Sequence, residues 1–244
     1  MAIVADKREI SDTKTIHYYL ITKIMLKINA DFDARVVIRP DDYQWVDSPL
    51  AGVERMMLDR LGDEVARATS IVRYAPNSHF SPHTHGGGEE FFVLEGTFAD
   101  EEGDYPQGSY VRNPIGTSHS PRVGADGATI FVKLRQFSAQ DTRPVRLETR
   151  DCEWYPGLVD GLQVMPLHSF ETEHVALVKW APDTRFKPHH HWGGEEIFVL
   201  DGTFCDEYGE YPKGSGLRNP HMSRQTPFTG ADGALIYVNT GPLA

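Results

Sequence analysis

An internal repeat constrains the fold of this chain more than any other feature. Residues 75–132 align without a gap with residues 181–238, at a constant offset of 106 positions. Of the 58 aligned positions, 34 are identical. A match of this length and quality indicates that the chain contains two copies of one structural unit.

The repeat continues upstream more loosely. Trp45 and Gly52 have the same seven-residue spacing as Trp154 and Gly161, so one copy is about a hundred residues long. Two copies of that size favour two homologous domains over a solenoid, which is built from three or more shorter units.

The domain boundary is predicted within residues 138–151, a polar and charged segment broken by Pro144. The first thirty residues match neither copy. We therefore predict an N-terminal extension at residues 1–30, a first domain at residues 31–140 and a second domain at residues 141–244.

Each copy contains short runs of β-branched and aromatic residues separated by Gly, Pro and Asp, which is the pattern of strands joined by turns. These runs include EEFFVLEG, TSIVRY, ATIFVKL and ALIYVNT. Only residues 53–61 show a weak helical periodicity. Many short, evenly spaced strands are typical of a sandwich or barrel, so we predict an all-β chain with one small barrel per repeat.

Charge and cysteine content exclude several classes of protein. The chain has 24 basic and 35 acidic residues, a net charge of −11 that disfavours contact with a nucleic-acid backbone. The sequence contains no run of about 18 apolar residues, so no membrane span is predicted. The N-terminal stretch HYYLITKIMLKI is interrupted by Lys23 and Lys27 and is a poor signal peptide. Cys152 and Cys205 are too few for a disulfide framework. We therefore expect a cytoplasmic protein.

The first copy contains a candidate metal site. His83 and His85 are two residues apart, so that on a strand both rings point to the same face. Three glycines follow before Glu89, and hairpin pairing would return this carboxylate towards the imidazoles. His119 follows 30 residues later. Three imidazoles and one carboxylate suit a first-row divalent ion.

The spacing of these residues resembles the two motifs of the cupin superfamily. The first is His83-x-His85-x3-Glu89-x6-Gly96, and the second is Gly108-x5-Pro114-x-Gly116-x2-His119. The fuller pattern GGEEFFVLEGTFADEEGDYPQGSYVRNP resembles the cupin domain of ChrR-type anti-sigma factors, and the resemblance covers both repeats. It implies tandem double-stranded β-helices, or jelly rolls, that form a bicupin, with His83, His85, Glu89 and His119 as metal ligands.

The second copy keeps His189, His191 and Glu195, but Gln225 replaces the fourth ligand. A glutamine still offers a carbonyl oxygen, which is neutral and harder than an imidazole nitrogen. The second site is therefore either a weaker or differently tuned metal site or a relic. His221 is an alternative source of nitrogen, and His190 is expected to face outward.

ChrR-type anti-sigma factors place a helical, zinc-binding, sigma-binding domain before the cupin, and this chain shows no His and Cys cluster of that kind. Sigma-factor binding is therefore not expected.

Two functions stay open. One is a metal-dependent dioxygenase or related oxidoreductase that acts on a small organic molecule through Fe, Mn or Ni. The other is a non-catalytic sensor or ligand-binding module that holds Zn. No separate catalytic acid or base can be nominated, and further pairing into a homodimer stays open.

Several other repeated or polar residues are predicted to be structural. Glu90 and Glu196 alternate with the ligand glutamates and are expected to form ion pairs with Arg112 and Arg218. Core packing is a sufficient explanation for the recurrence of Tyr105, Tyr211, Phe98 and Phe204. Trp45 and Trp154 are expected to close the barrels. No ligand spacing is apparent for His17, His79, His168 and His174, which we expect to be solvated.

Overall fold

Strands dominate the computed structural model, which describes residues 25–243 and contains no α-helix within that range. The predicted all-β fold is therefore confirmed. The runs rich in β-branched and aromatic residues form the long central strands, and two short 3-10 turns lie at Pro40–Asp42 and Thr149–Asp151.

The strands of the first repeat are β1 (Lys27–Ile28), β2 (Val36–Ile38), β3 (Trp45–Asp47), β4 (Val53–Leu61), β5 (Arg67–Tyr74), β6 (His83–Thr84), β7 (Glu89–Ala99), β8 (Asp104–Pro106), β9 (Ser109–Asn113), β10 (Ser118–His119) and β11 (Arg122–Leu134). Those of the second are β12 (Val145–Glu148), β13 (Tyr155–Pro156), β14 (Leu162–Phe170), β15 (Glu173–Trp180), β16 (His189–His190), β17 (Glu195–Asp206), β18 (Gly209–Pro212), β19 (Gly216–Asn219), β20 (Arg224–Gln225) and β21 (Phe228–Thr240).

The predicted N-terminal extension lies mostly outside the described residues, which begin at residue 25. Within its last part, β1 pairs with the end of β4, where Lys27 lies opposite Leu61.

Each half of the chain forms one large antiparallel sheet and one two-stranded sheet. The first large sheet has the order β1-β4-β5-β11-β7-β9-β12, and the second has the order β13-β14-β15-β21-β17-β19-β2. The two-stranded sheets are β6 with β10 and β16 with β20. Two antiparallel sheets in each half are consistent with tandem jelly rolls.

The repeats exchange one strand each. β2 lies near the start of the first repeat but pairs with β19 of the second, where Val36 lies opposite Arg218. β12 precedes the rest of the second repeat and pairs with β9 of the first, where Val145 lies opposite Arg112. Each large sheet is therefore completed by a strand from the other repeat.

Within the part of the chain that the structure describes, three apolar clusters form the core. One lies within each barrel, around Val93 in the first and Val199 in the second. The third joins the two halves, and in it the rings of Phe131 and Phe198 stack with their centroids 4.9 Å apart. The outer faces of the two large sheets are thus buried against one another.

The weak helical signal at residues 53–61 was wrong, because this segment is β4. Its pairing with β5 contains a register shift between Met57 and Asp59. Such a bulge places two residues opposite one and interrupts strict alternation. The buried positions along β4 therefore imitate a helical spacing in the sequence.

Candidate metal centre

The four predicted residues of the first repeat meet at one end of its barrel. His83 lies directly opposite His119 in the pairing of β6 with β10. His85 comes directly after β6, and Glu89 begins β7. One nitrogen or oxygen atom from each of the four lies within 4.8 Å of those of the others. We call these residues the first site.

The chain reaches this arrangement by a different pairing from the predicted hairpin. β6 pairs with β10 rather than with β7. Backbone hydrogen bonds fix the loop, since the His85 N–H donates to the Thr117 carbonyl at 2.8 Å and the Gly116 N–H donates to the His85 carbonyl at 2.9 Å. The turn that follows needs a glycine at Gly88, where φ is +79° and a Cβ atom would lie 2.3 Å from the ring of Phe137.

The three imidazoles of the first site share one orientation, in which Nδ1 faces an oxygen acceptor and Nε2 faces the centre. The Nδ1 contacts are 3.3 Å from His83 to the Ser81 carbonyl, 3.1 Å from His85 to Thr117 Oγ1 and 3.1 Å from His119 to Asp100 Oδ2. This arrangement leaves the Nε2 lone pairs free to bind an ion.

The centre of the first site has the donor chemistry of a divalent cation site. Nε2 of His83 and Nε2 of His119 lie 3.2 Å apart, so that their lone pairs face one another. Nε2 of His85 is buried without a hydrogen-bond partner and lies 3.3 Å from the Glu89 carboxylate. A cation among these four atoms would satisfy all of them.

Burial, hydrogen bonds and neighbouring charges shift the pKa values of several groups at the first site. Burial lowers the pKa of His85, which favours the neutral ring that binds a metal. Burial also opposes protonation of His119, but its hydrogen bond to Asp100 and the charge of Glu89 outweigh that effect and raise its pKa. Burial alone would raise the pKa of Asp100, yet hydrogen bonds from His119, the Glu102 N–H and Tyr105 lower it to about 2. Asp100 is therefore an anionic acceptor behind His119.

The second repeat assembles the corresponding residues. His189, His191 and Glu195 form a group whose potential ligand atoms lie within 4.8 Å of one another. Gln225 takes the place of His119, because it lies opposite His189 in the pairing of β16 with β20. These four residues are the second site. Burial raises the pKa of Glu195 to about 7, although a hydrogen bond from Asn219 opposes that rise.

Gln225 reproduces the contacts of the histidine that it replaces. Its Oε1 lies 3.1 Å from Nε2 of His191, where His119 of the first site presents a ring nitrogen. Its Nε2 donates to Asp206 Oδ2 at 3.2 Å, as Nδ1 of His119 donates to Asp100. The glutamine therefore presents an oxygen to the centre and keeps the outer carboxylate as its partner.

The alternative ligand His221 is engaged elsewhere, because its Nδ1 accepts a hydrogen bond of 2.9 Å from the Gly193 N–H. His190 is exposed, as predicted.

The ion-pair predictions had mixed outcomes. Glu90 pairs with Arg112, but Glu196 pairs with Lys133 and not with Arg218. The reason is that the side chain of Glu196 crosses to the neighbouring barrel.

One predicted solvated histidine is buried. His168 is 6% exposed and its Nε2 lies 2.8 Å from Asp141 Oδ2, at the interface between the barrels. His79 and His174 are exposed, and His17 lies outside the described residues. Cys152 and Cys205 form no disulfide.

The two repeated tryptophans, Trp45 and Trp154, are half-buried against the apolar cluster that joins the barrels. They line a cleft of about 710 Å³ between the two halves. Their place is thus at the junction of the barrels, not at either site.

The polar residues that hold the ligands were not predicted from the sequence. Tyr105 and Tyr211 do more than pack, because their hydroxyls donate to Asp100 and Asp206 at 2.8 and 2.6 Å. Similarly, Asn113 and Asn219 each donate to a ligand glutamate. The repeat itself could have indicated these residues, since the tyrosine, the aspartate and the asparagine are each identical in the two repeats at the constant offset.

Comparison with known families agrees with this geometry. The family model of the ChrR cupin-like domain matches the chain twice, at residues 33–138 and 142–244. The chain belongs to the ChrR cupin-like family. No curated protein sequence matches this cupin chain. Within residues 25–243, the structure has no helix long and apolar enough to cross a membrane.

Solved structures share the cupin fold at low sequence identity. A candidate dioxygenase from Nostoc punctiforme has a TM-score of 0.73 and 18% identity, over 86% of this chain and 84% of its own. A candidate glyoxylate-induced protein from Pseudomonas aeruginosa has a TM-score of 0.67 and 16% identity, over 90% of each chain. Oxalate decarboxylase from Lactobacillus farciminis has a TM-score of 0.61 and 13% identity, over 85% and 86%. These similarities show the fold alone.

Proposed function

We propose that this bicupin is a metal-dependent enzyme whose first site holds one divalent ion beside a small organic substrate. The observation that carries this proposal is the convergence of His83, His85, Glu89 and His119, whose potential ligand atoms lie within 4.8 Å of one another. In this proposal each repeat is one cupin domain, with the boundary near residue 140.

Access to the centre favours catalysis over a purely structural metal. His85, Glu89 and His119 are buried, whereas His83 is exposed, so one side of the first site faces solvent. A catalytic ion needs a position open to substrate, and six-coordinate iron or manganese would keep two such positions beside four protein ligands.

The proposed reaction class is a dioxygenation or a related oxidation. A bound ion would polarise a carbonyl or enolate as a Lewis acid. The protein would orient its imidazoles through their Nδ1 contacts, and Asp100 would hold the proton on Nδ1 of His119. The fold shared with a candidate dioxygenase and with oxalate decarboxylase supports this class.

A zinc-binding sensor or ligand-binding module is the second candidate. Its support is that four protein ligands can fill a tetrahedral zinc site, as structural zinc sites do. The two candidates differ in the resident metal, because iron, manganese or nickel favours the enzyme and zinc favours the sensor. A cytoplasmic location and a homodimer stay predictions.

The test is metal analysis of the full chain purified without chelator or nickel affinity, followed by oxygen-consumption assays with small diketones and enols. We expect one ion in the first site and oxygen uptake with at least one substrate. His119→Ala should lose that ion, whereas the exposed control His174→Ala should keep it. Metal content clearly below one ion per chain would contradict both candidates, and full metal content in His119→Ala would contradict the ligand assignment.

A further inference from the structure

The strands exchanged between the repeats each bring an arginine close to the metal site of the other repeat. We infer that Arg146 of the second repeat positions the ligands of the first site, and that Arg35 of the first repeat positions those of the second site. This inference rests on the proposed metal sites. It makes each centre dependent on a side chain from the neighbouring repeat.

Arg146 reaches the carboxylate ligand through one amide. Its Nη2 donates to Asn113 Oδ1 at 2.7 Å, and Nδ2 of Asn113 donates to Glu89 Oε2 at 3.0 Å. Because the guanidinium occupies the amide oxygen, the amide NH2 group must face Glu89. Arg146 thereby fixes the orientation of the group that holds the ligand.

The same guanidinium reaches a histidine ligand by a second route. Nε of Arg146 donates to the Tyr105 hydroxyl at 3.1 Å, and that hydroxyl donates to Asp100 Oδ1 at 2.8 Å. The other oxygen of Asp100 accepts from Nδ1 of His119 at 3.1 Å. One planar guanidinium therefore supports two ligands, which an ammonium group could not do with the same geometry.

The second site has the same two routes. Nε of Arg35 donates to Asn219 Oδ1 at 3.0 Å, and Asn219 donates to Glu195 Oε2 at 3.0 Å. Nη2 of Arg35 donates at 2.7 Å to both the Tyr211 hydroxyl and Asp206. Asp206 in turn accepts from Gln225 at 3.2 Å.

The two arginines do not occupy equivalent positions in the repeats. Val36 and Val145 lie opposite Arg218 and Arg112, which are equivalent, so Val145 is the counterpart of Val36. Arg146 therefore corresponds to Val37, and Arg35 precedes that position by two residues. Arg35 lies immediately before β2, yet its guanidinium contacts Asn219 as that of Arg146 contacts Asn113. The same contact is made from different positions in the two repeats. We therefore attribute it to a requirement of the sites and not to simple inheritance within the repeat.

The expected effect is that of removing an outer support of metal ligands, which typically weakens metal binding about 10–100-fold. What distinguishes this effect is that each arginine supports the site of the other repeat. Loss of Arg146 should weaken the first site and leave the second unchanged, although Arg146 belongs to the second repeat. Loss of Arg35 should do the reverse.

The test uses the full chain in two backgrounds that each keep one site. The His189→Ala/His191→Ala background reports the first site, and the His83→Ala/His85→Ala background reports the second. Each receives Arg146→Ala or Arg35→Ala and is titrated with Co(II), whose visible absorption reports both affinity and ligand geometry. The matched control is Arg55→Ala on β4, which removes an ion pair with the exposed carboxylate of Glu64, away from both sites. Arg146→Lys keeps the charge and much of the packing if Arg146→Ala fails to fold.

The inference predicts a crossed loss of affinity with an altered Co(II) spectrum, partial recovery in Arg146→Lys, and no change in Arg55→Ala. Equal losses in both sites, a loss in the site of the arginine's own repeat, or unchanged affinity would each overturn it. If the arginine variants keep the Co(II) affinity of a parent protein that binds fully, the proposed function is not contradicted. A parent protein that binds no Co(II) at either site would overturn the inference together with the proposed function.

Discussion

The two sites differ at a single ligand position, whereas the residues behind that position are the same. His119 in the first site and Gln225 in the second both donate to an aspartate, Asp100 or Asp206, that also accepts from a tyrosine. The substitution changes the atom offered to the centre from nitrogen to oxygen.

The second repeat has retained the surroundings of its site. Gln225 is only 2% exposed, and Asn219 still donates to the ligand carboxylate Glu195. A relic under no constraint would be free to lose these buried contacts. We therefore propose that the second site is tuned differently from the first, with a preference for harder ions.

The largest expected effect concerns the arginines at the equivalent positions 112 and 218. Arg112 is fully buried between Glu90, Asp141 and Glu173, so Arg112→Ala would remove the guanidinium that balances these carboxylates. We expect a loss of about 3–5 kcal/mol in the free energy of unfolding. Arg218 bonds mainly to backbone carbonyls and lies 3.9 Å from Asp59, so Arg218→Ala should cost less. Urea denaturation of both variants checks this order, and equal losses would contradict it.

His119→Gln converts the first site to the ligand set of the second. We expect zinc affinity to fall by about 100-fold, because a neutral amide oxygen replaces an imidazole, while Asp100 keeps its partner. Competition titration with a chromophoric chelator measures the change, with the second site removed by His189→Ala/His191→Ala. If zinc affinity stays the same, this residue does not cause a difference in zinc affinity between the two sites.

Gln225→His is the reverse change. Asp206 is already placed to accept from Nδ1 of a new imidazole, so the variant should fold normally and bind zinc about tenfold more tightly at the second site, or about 1.4 kcal/mol. Thermal unfolding in the absence of metal serves as the control, since it should change little. A second site that still binds zinc weakly would indicate that its backbone, and not Gln225, limits affinity.

The smallest expected effect distinguishes the two tyrosines. Tyr105→Phe removes the hydroxyl that links Arg146 to Asp100, with an expected loss of about 0.5–1.5 kcal/mol in the free energy of unfolding. Asp206 keeps a direct ion pair of 2.7 Å with Arg35, so Tyr211→Phe should cost less. Parallel thermal denaturation of the two variants measures the difference. A larger loss in Tyr211→Phe would contradict the direct role of Arg35.

Local features of the sequence predicted the strands and the convergence of the candidate ligands. Alternation along β7 correctly separated Glu89, which faces the first site, from Glu90, which faces the barrel interface. His83 and His85 lie near Glu89 as predicted, although the hairpin pairing on which that prediction relied is not the pairing that forms.

The features that sequence did not reveal depend on long-range pairing. The exchange of β2 and β12 leaves no local signal, and the arginines that it delivers stand at positions that the repeat does not align. The ion pair of Glu196 with Lys133 crosses between barrels, which alternation within one strand cannot indicate. In β4 the bulge altered the burial pattern and imitated a helix.

Anomalous diffraction from crystals of the full chain, grown after purification without chelator or nickel affinity, tests the central claim of two unequal metal sites most directly. We predict a strong peak among His83, His85, Glu89 and His119, and a weaker peak or one from a harder metal beside Gln225. A map with no peak at the first site, or with the stronger peak of the same metal at the second, would contradict it.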